Sequence, residues 1–438
     1  MRYAPTFILL ITVQRTMAQA TDPQTQELIQ KLLSRVDTLE KRIAELEKGN
    51  GPAPNSRSGA TPSLAAQPQA PVPSAQAEHD HDTTPRVTET TAAPSYPSLK
   101  LTGFSDFNFA ASDLRGASGG FQAATLLDTR SGFKEGQFTL HFSSALSPRV
   151  SFFGELTLTA RPDAGTGTPA APGFNPEVER AAIRFSQSDY LKVSFGRYHT
   201  PINYWNTAFH HGQWLQTTIS RPEMTQFGGS FIPVHFVGTL VEGVLPAQGL
   251  NVNYNVGLGN GRASVISKGG DFGDINNNRA WLVNLYLRPD ALYALQAGGS
   301  VYRDEINPAA GVPAREWIQS GHIVWHSETP EFIAEFANVH HQPLNRSLAV
   351  SNSQAFYFQT AYRLPWNQRA WKPYYRFEYI HVPHSDVIFR AVPSFSASTA
   401  GVRYDITTFA AFKLEYRHYD RHDLPAINGA FSQVSFTF

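Results

Sequence analysis

From about residue 99 to the end of the chain, apolar and polar residues alternate with a period of two, the pattern of strands whose two faces meet different surroundings. In "QGLNVNYNVGLG", Leu250, Val252, Tyr254, Val256 and Leu258 take one face while Asn251, Asn253 and Asn255 take the other. Phe138, Leu140 and Phe142 stand against Gln137, Thr139 and His141, and Tyr375, Phe377 and Tyr379 against Arg376 and Glu378. Phe412, Leu414 and Tyr416 oppose Lys413, Glu415 and Arg417. The alternation predicts about sixteen strands. They begin near 99, 136, 149, 177, 190, 233, 249, 279, 292, 315, 330, 353, 371, 396, 408 and 429.

Connection lengths alternate too. Short turns are expected at Ser147-Pro148, Ser188-Asp189, Pro246 to Gln248, Arg288 to Ala291, Ser327 to Pro330, Leu364 to Ala370 and Thr407. Long loops are expected near 111–131, 161–176, 198–232, 260–278, 304–314, 341–352, 383–395 and 420–428. A soluble sandwich has no reason to place every long connection at one end, whereas an outer-membrane barrel does. Lipid demands an apolar outer face, and a wet lumen accepts the Asn, Arg, Glu and Lys face. The fold class expected is therefore all-β, a transmembrane antiparallel barrel over 99–438. Trp317, Trp325, Trp366, Trp371, Tyr404 and Phe409 read as its interfacial girdles. The ending "FSQVSFTF" then supplies the closing strand, with Val434, Phe436 and Phe438 toward lipid, and Phe438 resembles the C-terminal signal read by outer-membrane assembly machinery.

The first part of the chain follows other rules. "APTFILLITV" followed by "AQA" at Ala18 to Ala20 describes a secretory signal over 1–20. Ile29, Leu32, Val36, Leu39, Ile43 and Leu46 recur at heptad a and d positions, with Arg35 and Arg42 at g and Glu40 and Glu47 at e, predicting a self-associating coiled coil over 21–49. Residues 50–98 are rich in Pro, Ala, Ser and Gln and read as a tether. Its "EHDHD" motif reads as a solvated charge cluster.

Composition narrows the partners. Lys plus Arg and Asp plus Glu are both 36, so no net charge draws the chain to nucleic acid. There is no cysteine and hence no disulfide framework. No cofactor or metal site is expected; His199 and the pair His210-His211 read as exposed.

The connection from Phe195 to Gly238 carries the densest chemistry: "GR", a "TP" turn, an aromatic-rich stretch, "RP" and a glycine-containing return strand. In this it resembles the phosphate-selective porin superfamily and its coiled-coil-bearing relatives. The resemblance implies homotrimers in the outer membrane of a Gram-negative bacterium, with a periplasmic coiled coil and the 198–232 loop folded inward as a constriction. It also implies a water-filled channel for small hydrophilic solutes, with anions as the ions it would favour. Carried over to this chain, the pore-lining residues are Arg197 and Arg221 near the loop ends and Arg180, Arg184 and Lys192 on the strands before it. Tyr198, Tyr204, Trp205 and Trp214 either offer solutes a stacking track or pin the loop to the wall. Over all strands the inward positions expected to carry charge are Lys100, Arg149, Arg180, Arg184, Lys192, Arg376, Arg403, Lys413 and Arg417 against Asp106, Glu155, Glu331, Glu335, Glu378, Asp405 and Glu415, a small basic excess. Two other readings stay open. One is a barrel enzyme, for which no G-x-S-x-G or other nucleophile signature stands out. The other is a structural barrel tethering the outer membrane to the cell wall.

Overall fold

The computed structural model describes residues 96–113, 132–161, 173–209, 211–226, 231–390, 392–422 and 425–438. The expected signal, coiled coil and nearly all of the tether lie outside these residues, as does His210. The first eight strands are β1 Ser98–Ser112, β2 Gly132–Ser147, β3 Val150–Arg161, β4 Gly173–Ser188, β5 Leu191–His199, β6 His235–Leu245, β7 Val252–Asn260 and β8 Ala280–Leu287. The second eight are β9 Leu295–Ile306, β10 Ala314–Trp325, β11 Glu331–Pro343, β12 Ser351–Ala361, β13 Trp371–His381, β14 Phe395–Thr407, β15 Ala410–Arg421 and β16 Ile427–Thr437. Each pairs antiparallel with its sequence neighbours, and β16 pairs with β1 to close the ring. The predicted starts miss most at β2 (136 against 132) and β4 (177 against 173), by four residues each.

Closure is made at the last residue. Phe438 N–H donates to Gly103 O at 3.0 Å and Gly103 N–H to Phe438 O at 2.9 Å. The Phe438 ring stacks on Phe138 at 5.8 Å. A Cβ on Gly103 would run into that ring, so this seam requires glycine on β1. With both edges paired, no row of backbone groups is left open to lipid.

The two faces sort as the alternation predicts. Phe107, Phe195, Leu258, Leu285, Leu414 and Tyr416 are exposed on the outside, while Thr139, Glu155, Asn284, Arg376, Lys413 and Arg417 are buried on the inside. So many exposed apolar side chains around a closed ring suit hydrocarbon and not water. Aromatic pairs mark both rims: Trp281 with Trp317 at the end bearing the long connections, 5.5 Å apart, and Trp371 with Tyr404 at the end bearing the short ones, 4.7 Å apart.

Alternation is broken where a strand carries an extra residue. On β4, Arg180 pairs with Glu155 but Val178 pairs with Leu156, leaving Glu179 as a bulge. Glu179 and Arg180 are consequently both buried.

Deleting Phe438 removes both terminal seam bonds and the ring stack. The expected outcome is a lower yield of barrel with heat-modifiable gel migration, while the chains that do close keep native conductance; equal yield from the shortened chain would refute the seam's role.

Candidate functional site

The connection from β5 to β6 begins and ends side by side. Thr200 N–H donates to Val234 O at 2.9 Å, and the Asn206 amide bonds both Thr200 O at 2.8 Å and Val234 O at 3.1 Å. Between these points the chain crosses the interior to the opposite wall, with a short α-helix, α1, at Trp205–Ala208 and a 3-10 turn at Glu223–Thr225 among the described residues. A mostly irregular segment buried in this way must find partners for its backbone groups elsewhere.

The partners are charged side chains of the far wall, sorted by sign. Glu335 Oε1 on β11 accepts from Tyr204 N–H at 2.8 Å and Trp205 N–H at 2.6 Å, a carboxylate at the start of α1. Glu415 accepts from Ile219 N–H at 2.9 Å and Glu378 from Glu223 N–H at 2.6 Å. In the other sense, Arg376 donates to Ser220 O at 2.8 Å and Arg221 O at 3.1 Å. Arg403 donates to Trp214 O at 2.6 Å, and Lys413 to Thr218 O at 3.0 Å and to Gln213 O. Charge-assisted bonds of this kind are about twice as strong as neutral ones. The wall charges also pair with one another, Arg376 with Glu378 at 2.8 Å and Arg417 with Glu415 at 2.5 Å. Apolar packing completes the seam: Ile202, Trp205, Ile219, Met224 and Phe231 join inward Tyr302, Ile318, Tyr357, Ile380 and Tyr419 in one buried cluster.

With the loop on that wall, the open space lies between its near face and β2–β9. It comprises about 1560 Å³ of atom-free space, open solvent included, lined by Arg180, Arg184, Lys192, Arg197, Arg288 and Glu242, with Phe153, Tyr198, Tyr204, Tyr254 and Tyr286 and the amides of Asn253, Asn255 and Asn284. Arg180 is bonded to Glu155 at 2.5 Å and lies 4.2 Å over the Phe153 ring. Arg184 pairs with Glu242 at 2.8 Å. Lys192 is 3.9 Å from Asp189, and Arg288 donates to Gln296 at 3.0 Å beside the Tyr286 ring. Among the described residues, the lining thus holds five cationic side chains and one carboxylate.

The structure brings Arg180, Arg184, Lys192, Arg197 and Tyr204 to this cavity. Trp205 and Arg221 do not line it. Trp205 is 0% exposed beneath α1, edge-on to Tyr357 at 6.0 Å, and Arg221 is 1% exposed with its guanidinium turned back onto Thr225 O at 2.8 Å. Arg221 is expected in the lining and Trp205 either there or pinning the loop to the wall; the loop's far face buries both, and Trp205 pins. Arg197 lies at the outer end of β5, held by Asp271 at 2.7 Å and Glu179 O at 2.6 Å. His199 and His211, expected to be exposed, are buried because the loop's root folds over them. Sequence reading placed Arg288 in a turn and omitted it from the lining; its position immediately after the inward Tyr286 and outward Leu287 was the available signal.

No family model matches the chain, and no curated protein matches it in sequence. Solved structures match its fold. An anion-selective porin from Comamonas acidovorans aligns with TM-score 0.56 and 11% identity over 78% of this chain and all of that one. OmpF of Salmonella typhi, in complex with daunomycin, aligns with TM-score 0.52 and 10% identity over 78% of this chain and 97% of that one. The outer membrane channel DcaP of Acinetobacter baumannii gives TM-score 0.51 and 11% identity over the same shares. The chain has the fold of these outer-membrane channels.

Removing Arg376 leaves loop carbonyls and a buried Glu378 without their cation, at a cost of about 3–5 kcal/mol. Arg376→Ala is expected to release residues 213–223 to protease in folded barrels and to raise single-channel conductance; unchanged protection would show that the loop is held otherwise. The loop's own Glu223 predicts a pH effect. Burial, and then the Glu378 carboxylate, push its pKa from 4.5 up to about 8. Between those values the docked loop holds a proton that the undocked carboxyl gives up, so docking is strongest below the interval and weakens as pH rises through it. Glu223→Gln should flatten the fall in thermal stability between pH 5 and pH 8, read as the difference from the parent chain.

Proposed function

We propose that this chain is an outer-membrane porin, a passive water-filled channel for small hydrophilic solutes that favours anions. The observation that carries this is the cavity's lining: five cations against one carboxylate, inside a barrel whose outer face is apolar. Glu155 and Glu242 are each engaged by an arginine, Arg197 is held by Asp271, and Lys192 lies 3.9 Å from the exposed Asp189, so among the described residues the cation of the lining without a carboxylate partner is Arg288. A basic, low-dielectric constriction raises the local concentration of anions and repels cations. The fold shared with an anion-selective porin supports the same reading.

The finer assignments belong to the same proposal. The phosphate-selective porin relatives are the subfamily suggested by the loop motif, though among the described residues no lysine cluster stands beside the arginines. The 1–20 segment directs export, the 21–49 helix forms a periplasmic coiled coil that joins the barrels as a homotrimer, and the 50–98 tether connects the two. Outer-membrane lipid surrounds the barrel, and the assembly machinery reads Phe438.

In a planar bilayer the purified protein should show stepwise, ohmic conductance, and its absence would remove the channel reading. Across a salt gradient, Lys192→Ala/Arg288→Ala should shift the reversal potential toward the non-selective value. Adding Arg184→Ala, which withdraws the guanidinium facing Glu242, should carry it to cation preference. A reversal potential indifferent to all three changes would refute anion preference at this site.

A further inference from the structure

At the root of the folded-in loop the chain gathers imidazoles that the channel reading does not use. His199 ends β5, His235 opens β6 and His211 lies in the loop between them; the His199 ring is 5.7 Å from His235 and 6.3 Å from His211. The bulge residue Glu179 reaches the same place. Its Oε2 is 2.7 Å from His235 Nε2 and its Oε1 is 3.1 Å from His211 Nε2. Glu177, one turn of the pleat away, brings a further carboxylate: donor atoms of Glu177, Glu179 and His235 all lie within 4.8 Å of one another.

The surrounding hydrogen bonds say which ring nitrogens face inward. His211 Nδ1 is 3.1 Å from the Gln137 side-chain oxygen and donates to it in the tautomer that carries the ring proton on Nδ1. In that tautomer the Nε2 lone pair faces the Glu179 carboxylate at 3.1 Å, and a cation between them, a proton or a metal, joins the two. A histidine whose outer nitrogen is held by a carbonyl is also the common support of a metal ligand. At His235, Nδ1 accepts from Arg197 at 3.1 Å. Metal binding at Nε2 moves that ring's proton to Nδ1 and ends this contact, and the metal takes the place of Arg197 on the carboxylates of Glu177 and Glu179, which the guanidinium meets at 3.3 and 3.6 Å, while Arg197 keeps Asp271 and the carbonyls of Val178 and Glu179.

We propose that His211, His235, Glu179 and Glu177 form a site for a divalent transition metal of the zinc class, which ties the middle and far end of the loop to β4. Two imidazoles and two carboxylates suit zinc and its neighbours better than calcium or magnesium, which prefer oxygen alone. Only deprotonated nitrogens and carboxylates ligate, so any proton they carry leaves as the metal enters, and affinity falls as pH is lowered.

The test uses full-length protein stripped with chelator, titrated with ZnCl₂ by calorimetry and with CoCl₂ by visible absorption. Expected are about one metal per chain and the d–d bands of a low-symmetry Co²⁺ site, with His211→Ala and His235→Ala each weakening zinc binding by at least about tenfold. Zinc should raise the temperature at which the compact gel form is lost, and raise it less in both variants. His79→Ala/His81→Ala, which removes the tether's imidazoles, should bind as the parent does. Zinc binding that survives in His211→Ala/His235→Ala, or that is lost in His79→Ala/His81→Ala, overturns the site. If the histidine variants do not close as barrels, Gln137→Leu carries the test: weaker binding is expected from loss of the Nδ1 support, and undiminished affinity overturns the site. Binding is read without conductance, so its failure and failure of the channel reading are separate results.

Discussion

A long irregular segment inside a barrel is possible only if its backbone is satisfied by something other than itself or water. Here the far wall does this with ions, carboxylates accepting from the loop's N–H groups and guanidinium or ammonium groups donating to its carbonyls. Sorting by sign makes the contact directional, because a loop displaced by one residue would set carbonyls against carboxylates. The apolar cluster under Trp205 adds burial to this pattern but could tolerate sliding; the ion-to-backbone bonds could not.

That one contact decides where the passage runs and what charge it shows. By occupying the side of β11 and β13–β15, the loop covers Arg376, Arg403, Lys413 and Arg417 and leaves the β2–β9 side open. Arg376, Arg403 and Lys413, which would have lined an empty lumen, are thus taken up by loop carbonyls and Arg417 by Glu415, and a tally of inward charges over all strands describes a barrel without its loop. The field that solutes meet belongs to the smaller set beside the cavity. There each carboxylate, Glu155 or Glu242, stands against an arginine.

What was legible in the sequence follows from which constraints act locally. Lipid acts on every strand in the same way, so Val256, Leu258, Phe377 and Leu414 were readable as outward residues from spacing alone, and the count and order of strands with them. The loop was recognisable from its length and its aromatics, but its two faces were not. Trp205 and Tyr204 are adjacent and alike in type, yet one is sealed under α1 and the other meets the cavity, because that difference is set by wall residues more than a hundred positions away. Arg288 was hidden for a related reason: a side chain at the end of a strand is assigned to its turn unless the three-dimensional rim is known.

The bulge on β4 joins these parts. Strict alternation would place only one of Glu179 and Arg180 inside; the extra residue turns both inward. Arg180 then lies over Phe153 and lines the passage, while Glu179 sits among the histidines at the loop's root. Gly196 on β5 permits the close approach this needs, with φ of +140° and no Cβ to meet the Ala181–Ala182 backbone. The charge that solutes meet and the anchor of the loop that narrows their path are therefore consecutive residues of one strand. A change in how the root is held must also act on Arg180, which ties the loop's placement to the electrostatics of the opening it leaves.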